Sequence, residues 1–369
     1  MYSESDIENA VATGAITPAA AAALRQSVAE ARSTTLVDEE SFRLITGFND
    51  IFVTIAAALL LMAVGWIGFS VVGPHGDFND QDVQRLLGHG VALGGLLVAA
   101  AAWGLAEYFT RQRRMALPSI ILLGAFVAAV GACIFGLGLP MIPNSNGDRV
   151  AAGVLAVAGL VSAGAAYLHW RRFHVPITIA ALTGALVATL WATLLWSVPG
   201  IKDQILWVIL AAGIAIFGFA MWWDMSDRLR QTRRSDVAFW LHLSAAPMIA
   251  HPVFHLLGVM NNAVTPGSGL MVIALYILFG IVALAVDRRA LLVSSLAYVL
   301  YALADLFRQA GAVSLNIALT ALVIGSALLL LSAFWHNVRR MVVAALPGEL
   351  QARLPALDRP VVATARATA

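Results

Sequence analysis

The feature that most constrains this chain is a series of ten long apolar runs. A helix needs about 20 apolar residues to cross a hydrocarbon core about 30 Å thick, and backbone groups in lipid must be hydrogen-bonded within their own segment. Runs of this length therefore predict an all-α, polytopic membrane protein with ten transmembrane helices. The runs lie near residues 49–72, 89–108, 117–139, 149–168, 175–196, 205–223, 237–258, 269–286, 291–311 and 315–335.

Composition supports the same class of protein. Of the 369 residues, 60% are hydrophobic and 12% are charged, whereas soluble domains are about half apolar and about a quarter charged. These figures exclude a disordered chain and an ordinary soluble enzyme. The single cysteine, Cys133, excludes an intrachain disulfide.

The arginines between the runs alternate from one side to the other. Thirteen basic residues follow the even-numbered runs, and four follow the odd-numbered runs. Because cytoplasmic loops are enriched in Lys and Arg, this pattern predicts ten spans with both termini cytoplasmic, in a bacterial inner membrane. The thirteen are Arg111, Arg113, Arg114, Arg171, Arg172, Arg228, Arg230, Arg233, Arg234, Arg288, Arg289, Arg339 and Arg340.

The segments outside the spans predict three regions. Residues 1–47 form a small, acidic, cytoplasmic helical head, in which Gly14 ends a first helix and Thr17 is the N-cap of a second. Residues 48–336 form the ten-helix transmembrane domain. Residues 337–369 begin as an amphipathic helix at the inner leaflet and continue as a flexible cytoplasmic tail. The acidic head complements the arginine loops, so it docks either there or on a protein partner.

The head also carries a family resemblance. The stretch AVATGAITPAAAAALRQ, residues 10–26, ahead of many spans resembles a family of uncharacterised bacterial multi-pass membrane proteins with a short N-terminal helix-turn head. This resemblance implies a bacterial multi-pass membrane protein and brings no activity with it. The predicted ten spans with both termini inside also resemble the drug/metabolite exporter superfamily, from which the acidic head and the long first outer loop depart.

Two spans carry polar residues where lipid would make them costly, which marks them as candidates for function. Span seven contains His251 and His255, four residues apart on one helical face that Ser244 continues. Span nine contains Asp305, the single acid predicted to lie deep in a span. Its polar stripe consists of Tyr298, Tyr301, Asp305 and Arg308.

The depths of these residues predict that they form one pocket. His251 and Asp305 each lie 14 residues past the start of an outward-running span, so at 1.5 Å per residue they reach similar heights. If the two helices face each other, their polar residues form a pocket open to the periplasm. Pro247 and Pro252 lie in span seven and predict a kink, because each proline removes a backbone hydrogen bond.

Three interpretations of this pocket stay open: a structural hydrogen-bond network, a substrate or proton site of a transporter, and a metal or haem site. Two histidines are too few for a resident metal without a third ligand, and no second span carries matching haem ligands. We therefore expect no metal, no cofactor and no enzyme activity.

The sequence favours a small-solute carrier or channel-like transporter. The alternative is a non-enzymatic membrane sensor, scaffold or assembly component that acts through its head, and a His-based metal or haem redox protein ranks last. The expected partners are the lipid bilayer, a small solute and a protein at the acidic head. Nucleic-acid binding has no support, because the arginines follow the membrane-orientation pattern.

Asp305 gives a test of the transporter interpretation. The substitution Asp305→Asn removes the carboxylate from the predicted substrate or proton site, so we expect proton-coupled uptake to be lost. Uptake into proteoliposomes measures this, and unchanged transport would contradict the interpretation.

Overall fold

The computed structural model of the protein describes residues 7, 10–24, 26, 48–75, 79–143, 147–230, 232–257, 266–309 and 316–357. Every regular element within these ranges is a helix. The chain divides into two compact units. One comprises Ile45–Leu357, and the other combines Met1–Leu44 with Asp358–Ala369.

Ten helices of the larger unit fall on the ten apolar runs, and two shorter helices follow. Helix α2 continues as a π-helical segment over Glu107–Gln112. The helices are α1 (Phe48–Val72), α2 (Asp80–Ala106), α3 (Ala116–Gly138), α4 (Asp148–Phe173), α5 (Ile177–Ser197), α6 (Ile205–Ser226), α7 (Arg233–Leu256), α8 (Pro266–Val286), α9 (Ala290–Gln309), α10 (Asn316–Ala333), α11 (Trp335–Ala344) and α12 (Gly348–Gln351).

The largest difference from the predicted boundaries is the start of α2. This helix begins at Asp80 rather than near residue 89. The side chain of Asn79 accepts a hydrogen bond of 2.9 Å from the Asp82 backbone N–H, so it caps a helix that begins about two and a half turns before the apolar run. A polar segment therefore extends the span instead of forming a loop.

Seven of the described helices, α1 to α7, are long and apolar enough to cross a membrane. Helices α10 and α11 together would make an eighth, but they are bent by 76° at a short break. In α8 and α9 the described apolar stretches are shorter, at Leu270–Val286 and Ala290–Ala304. The chain is therefore a multi-pass membrane protein, while the predicted number of ten spans is not confirmed.

Four turns between helices share an unusual backbone conformation. Arg114, His174, Arg230 and Asp287 have φ angles of 53° to 59°, in the left-handed region that non-glycine residues rarely adopt. They follow α2, α4, α6 and α8 at intervals of 60, 56 and 57 residues. A left-handed residue ends a helix and redirects the chain, so the regular spacing indicates that a helical hairpin is the repeating unit of the fold.

Helix α2 packs closely on both of its neighbours. A Cβ atom added at Gly95 would lie 2.6 Å from the carbonyl oxygen of Ala129 in α3, and one at Gly94 would lie 2.8 Å from the carbonyl oxygen of Gly65 in α1. Small residues let helix backbones approach, which is a main means of helix association in bilayers. The buried residues of α2 are Gly88, Gly90, Ala92, Gly94, Gly95, Ala99, Ala102 and Ala106.

The smaller unit is described over residues 7, 10–24 and 26. There the hydroxyl of Thr17 accepts a hydrogen bond of 3.1 Å from the Ala20 backbone N–H, and Gly14 has a φ angle of 72°. Both observations confirm the predicted helix end and N-cap. The rest of the predicted head, and residues 358–369 of the predicted tail, lie outside the described residues.

The close approach of α2 and α3 can be tested with two glycines of the same helix. We expect Gly95→Ala to lower the unfolding temperature of the detergent-purified protein, because the new methyl group meets backbone. Gly104→Ala is the matched control, since nothing lies within 4 Å of an added Cβ there, and alanine favours a helix over glycine by about 1 kcal/mol. Equal effects of the two changes would contradict the packing described.

Candidate functional site

A group of buried ionisable residues lies where α7 meets the end of α6 and the turn before α9. The carboxylate of Asp224 accepts hydrogen bonds from Arg288 Nη2 at 2.7 Å and from His242 Nε2 at 2.9 Å. Asp224 is 1% exposed, His242 2% and Arg288 5%. An ionised carboxylate only accepts hydrogen bonds, so His242 carries a proton on Nε2 in this arrangement.

A second buried aspartate extends this set of contacts. Asp287, in the turn between α8 and α9, accepts hydrogen bonds of 2.8 Å from Arg230 Nη1 and from the indole N–H of Trp335. Arg339 Nε in α11 lies 3.6 Å from Asp287 Oδ1. We call the whole set the charge cluster. It consists of Asp224, Arg230, His242, Asp287, Arg288, Trp335 and Arg339.

The arginines of the charge cluster also donate hydrogen bonds to backbone carbonyls. Buried charges are costly unless they are both paired and hydrogen-bonded, and these bonds supply the second requirement. They also tie each guanidinium to a neighbouring element. The contacts join Arg288 to Ser235 at 3.0 Å, Arg230 to Val286 at 3.0 Å and Arg339 to Pro355 at 2.8 Å.

The segment of residues 346–357, which we call the C-terminal strap, folds back onto the turn between α6 and α7. Arg228 Nε donates a hydrogen bond of 2.8 Å to the carbonyl of Leu354, and the Ala356 N–H donates one of 3.2 Å to the carbonyl of Arg228. The side of α11 that carries Trp335 and Arg339 is buried against the protein. The predicted amphipathic helix is therefore held by specific protein contacts.

Positive charge exceeds negative charge within the charge cluster. Burial lowers the pKa of Arg230 to about 10, and Arg288 and Arg339 act in the same direction while Asp287 opposes them. Arg230 therefore stays protonated at neutral pH. Among the described residues, the buried Nε atoms of Arg230 and Arg339 make no hydrogen bond. The cluster is thus held together by its two carboxylates against mutual repulsion of its arginines.

The polar residues predicted in spans seven and nine come together in part. His251 Nδ1 lies 2.6 Å from the Tyr298 hydroxyl oxygen, which joins α7 to α9. The rings of His251 and His255 are 5.8 Å apart, and Phe254 stacks on Tyr298 with ring centroids 4.6 Å apart. The two helices therefore face each other, but His251 meets Tyr298, which lies seven residues before Asp305, the residue predicted to lie at the height of His251.

Other predicted pocket residues have different surroundings. The Ser244 hydroxyl donates to the carbonyl of Trp240 in its own helix at 2.9 Å, and Tyr301 is 44% exposed. The side chains of Asp305 and Arg308 lie outside the described residues. Their place in the pocket stays a prediction.

Helix α7 carries polar groups at two levels. Pro247 lies between those levels and Pro252 directly follows His251, inside a helix that is continuous from Arg233 to Leu256, so the kink predicted from the two prolines stays a prediction. His242 and His251 are nine residues apart, which at 1.5 Å per residue is about 13.5 Å along the helix.

The charge cluster escaped the sequence analysis. Its two acids directly follow the predicted apolar runs at 205–223 and 269–286, and the sequence predicts Asp305 as the single deep acid, whereas Asp224 is buried within α6. Its arginines fitted the positive-inside pattern, which gave them a sufficient explanation. One sequence feature could have indicated the cluster: an acidic residue stands directly beside an arginine at a span end, as in Asp287-Arg288.

Comparison of the chain with protein-family models, with curated proteins and with solved structures finds no match in any of the three. Within the ranges that the structure describes, no three His, Cys, Asp or Glu side chains gather in a way that could hold a metal ion. The function is therefore inferred from the two polar sites themselves.

The charge cluster predicts that removing one negative charge lowers the stability of the protein strongly. Asp224→Asn leaves Arg288 buried without its carboxylate, and breaking a buried ion pair costs about 3–5 kcal/mol. We expect a clear loss of unfolding free energy in detergent.

The matched control is Asp148→Asn. It removes the same charge from an exposed ion pair, in which Asp148 lies 2.8 Å from Lys202. Exposed pairs contribute little, so this change should leave stability unaltered. An equally stable Asp224→Asn variant would show that the buried contacts do not hold the helix ends.

Proposed function

We propose that this protein is a carrier or channel-like transporter for a small solute. The observation that carries the proposal is the combination on α7 of two polar levels, the buried His242 on Asp224 and the histidines near Tyr298. Ionisable groups inside membrane helices are costly and characteristically serve substrate or proton pathways. A helix that bears them at two depths is suited to link both sides of a membrane.

In this proposal the charge cluster closes one end of the helix bundle. Buried ion pairs join α6 and the turn after it to α7 and to the turn between α8 and α9, and the Trp335 indole N–H joins α11 to Asp287. Adding a proton to either aspartate removes the charge that holds its arginine, so proton binding and opening of this end are coupled. Discrete ion pairs that form or break are a common basis of two-state movement.

The proposed orientation follows from the arginines. We infer ten spans with both termini cytoplasmic in a bacterial inner membrane, and the charge cluster then lies at the cytoplasmic end. This inference is supported by exposed arginines at the turns after α2 and α4, including Arg113, Arg114 and Arg171, because cytoplasmic loops are enriched in such residues.

A second candidate function is a non-enzymatic sensor, scaffold or assembly component. It is favoured by the division of the chain into two compact units, one of which contains the predicted acidic head. Deletion of residues 1–40 should then remove a co-purifying protein and leave the membrane domain folded. A partner retained by the shortened chain would count against this function.

Accessibility of a buried thiol tests the carrier proposal. Cys133 is first replaced by Ala, and Ala246→Cys then places a single thiol on α7 at a position that is fully buried. We expect a water-soluble maleimide to label this thiol slowly in proteoliposomes and much faster when Asp224→Asn opens the cluster. Asp148→Asn serves as the control background and should leave labelling slow.

A flux measurement completes this test. Proteoliposomes that contain a pH-sensitive dye are exposed to a panel of small solutes, and a solute-dependent pH change that Asp224→Asn abolishes is expected. The carrier proposal fails if no solute changes the internal pH and the thiol at position 246 stays equally protected in both backgrounds.

A further inference from the structure

His251 and His255 form a pair of imidazoles one turn apart on α7. Their ring centroids are 5.8 Å apart, and His251 is exposed while His255 is half-buried. Residues four apart on a helix are neighbours on one face, so two such rings can turn toward a shared ion. Imidazole nitrogen is a ligand that suits zinc, copper and nickel ions.

Tyr298 gives the first of these rings a defined orientation. When a histidine binds a metal through Nε2, its Nδ1 carries the proton and donates it to an outer partner, which fixes the ring. The Tyr298 hydroxyl oxygen lies 2.6 Å from His251 Nδ1, in the place of that partner. Phe254 stacks on the Tyr298 ring at an interplanar angle of 9°, which holds the phenol in position.

We infer that His251 and His255, with Tyr298 as the orienting partner, bind a divalent transition-metal cation. Two protein ligands leave coordination positions for water, so the ion is held loosely. Loose binding suits a transported ion, which must enter favourably and still leave. Copper(II) should bind more tightly than zinc, as it does at most nitrogen sites. That this cation is the carried solute rests on the proposed function, whereas its binding does not.

Titration of the full-length protein with Cu²⁺ or Zn²⁺ alone tests the site. The protein is purified in detergent through a tag that contains no histidine, and binding is measured by calorimetry. We expect one site per chain, with affinity reduced at least tenfold in His251→Ala and in His255→Ala. Tyr298→Phe keeps the ring that Phe254 stacks on and removes only the hydroxyl, and loss of such an outer partner typically costs about 10–100-fold in affinity.

The controls are two exposed histidines elsewhere in the chain, His89 and His336. Their replacement by Ala should leave the affinity unchanged. The inference is overturned if His251→Ala and His255→Ala bind the ions as the unaltered protein does, or if the two control variants lose binding equally. A folded Tyr298→Phe variant with unchanged affinity would overturn the orienting role of the phenol.

Uptake of labelled zinc into proteoliposomes separates this inference from the proposed function. Binding that depends on the two histidines without uptake supports the site and shows that the cation is not the carried solute. Uptake of another solute by a protein that binds neither ion supports the carrier and overturns the metal site.

Discussion

The contact between Asp224 and Arg288 is the constraint on which the second half of the membrane domain depends. Both side chains are almost completely buried, and their nearest atoms are 2.7 Å apart. Breaking such a pair leaves an uncompensated charge inside the protein at a cost of about 3–5 kcal/mol. The ends of α6 and α9 must therefore meet in one geometry, and His242 brings α7 to the same carboxylate.

The two halves of the domain are held together by different forces. Helices α1 to α3 approach one another closely at Gly94, Gly95 and other small residues, and non-directional van der Waals packing stabilises these contacts. In the second half, directional ion pairs that are either made or broken join α6, α7 and the turns after α6 and α8, in addition to an apolar core shared by α7 to α11. Under the proposed function, the first half is a rigid support and the second half changes between two states.

The pattern of long apolar runs predicts helices α1 to α10, because burying backbone in lipid leaves few alternatives to a helix. It also predicts that spans seven and nine face each other, and His251 does contact Tyr298, although residue counting placed Asp305 rather than Tyr298 at the height of His251. It could not reveal that Arg230 and Arg339 are buried, because an arginine at a span end satisfies the positive-inside pattern whether it faces water or a carboxylate. Only the packing of α11 and the C-terminal strap decides between those surroundings.

A double-mutant cycle on Asp224 and Arg288 tests this account most directly. The unfolding free energy is measured in mixed detergent for Asp224→Asn, Arg288→Gln and the double variant. If the buried pair holds the helix ends, the double variant is less destabilised than the sum of the single variants by about 2 kcal/mol or more. Single effects that add within about 0.5 kcal/mol would contradict the account, since independent sites behave in that way.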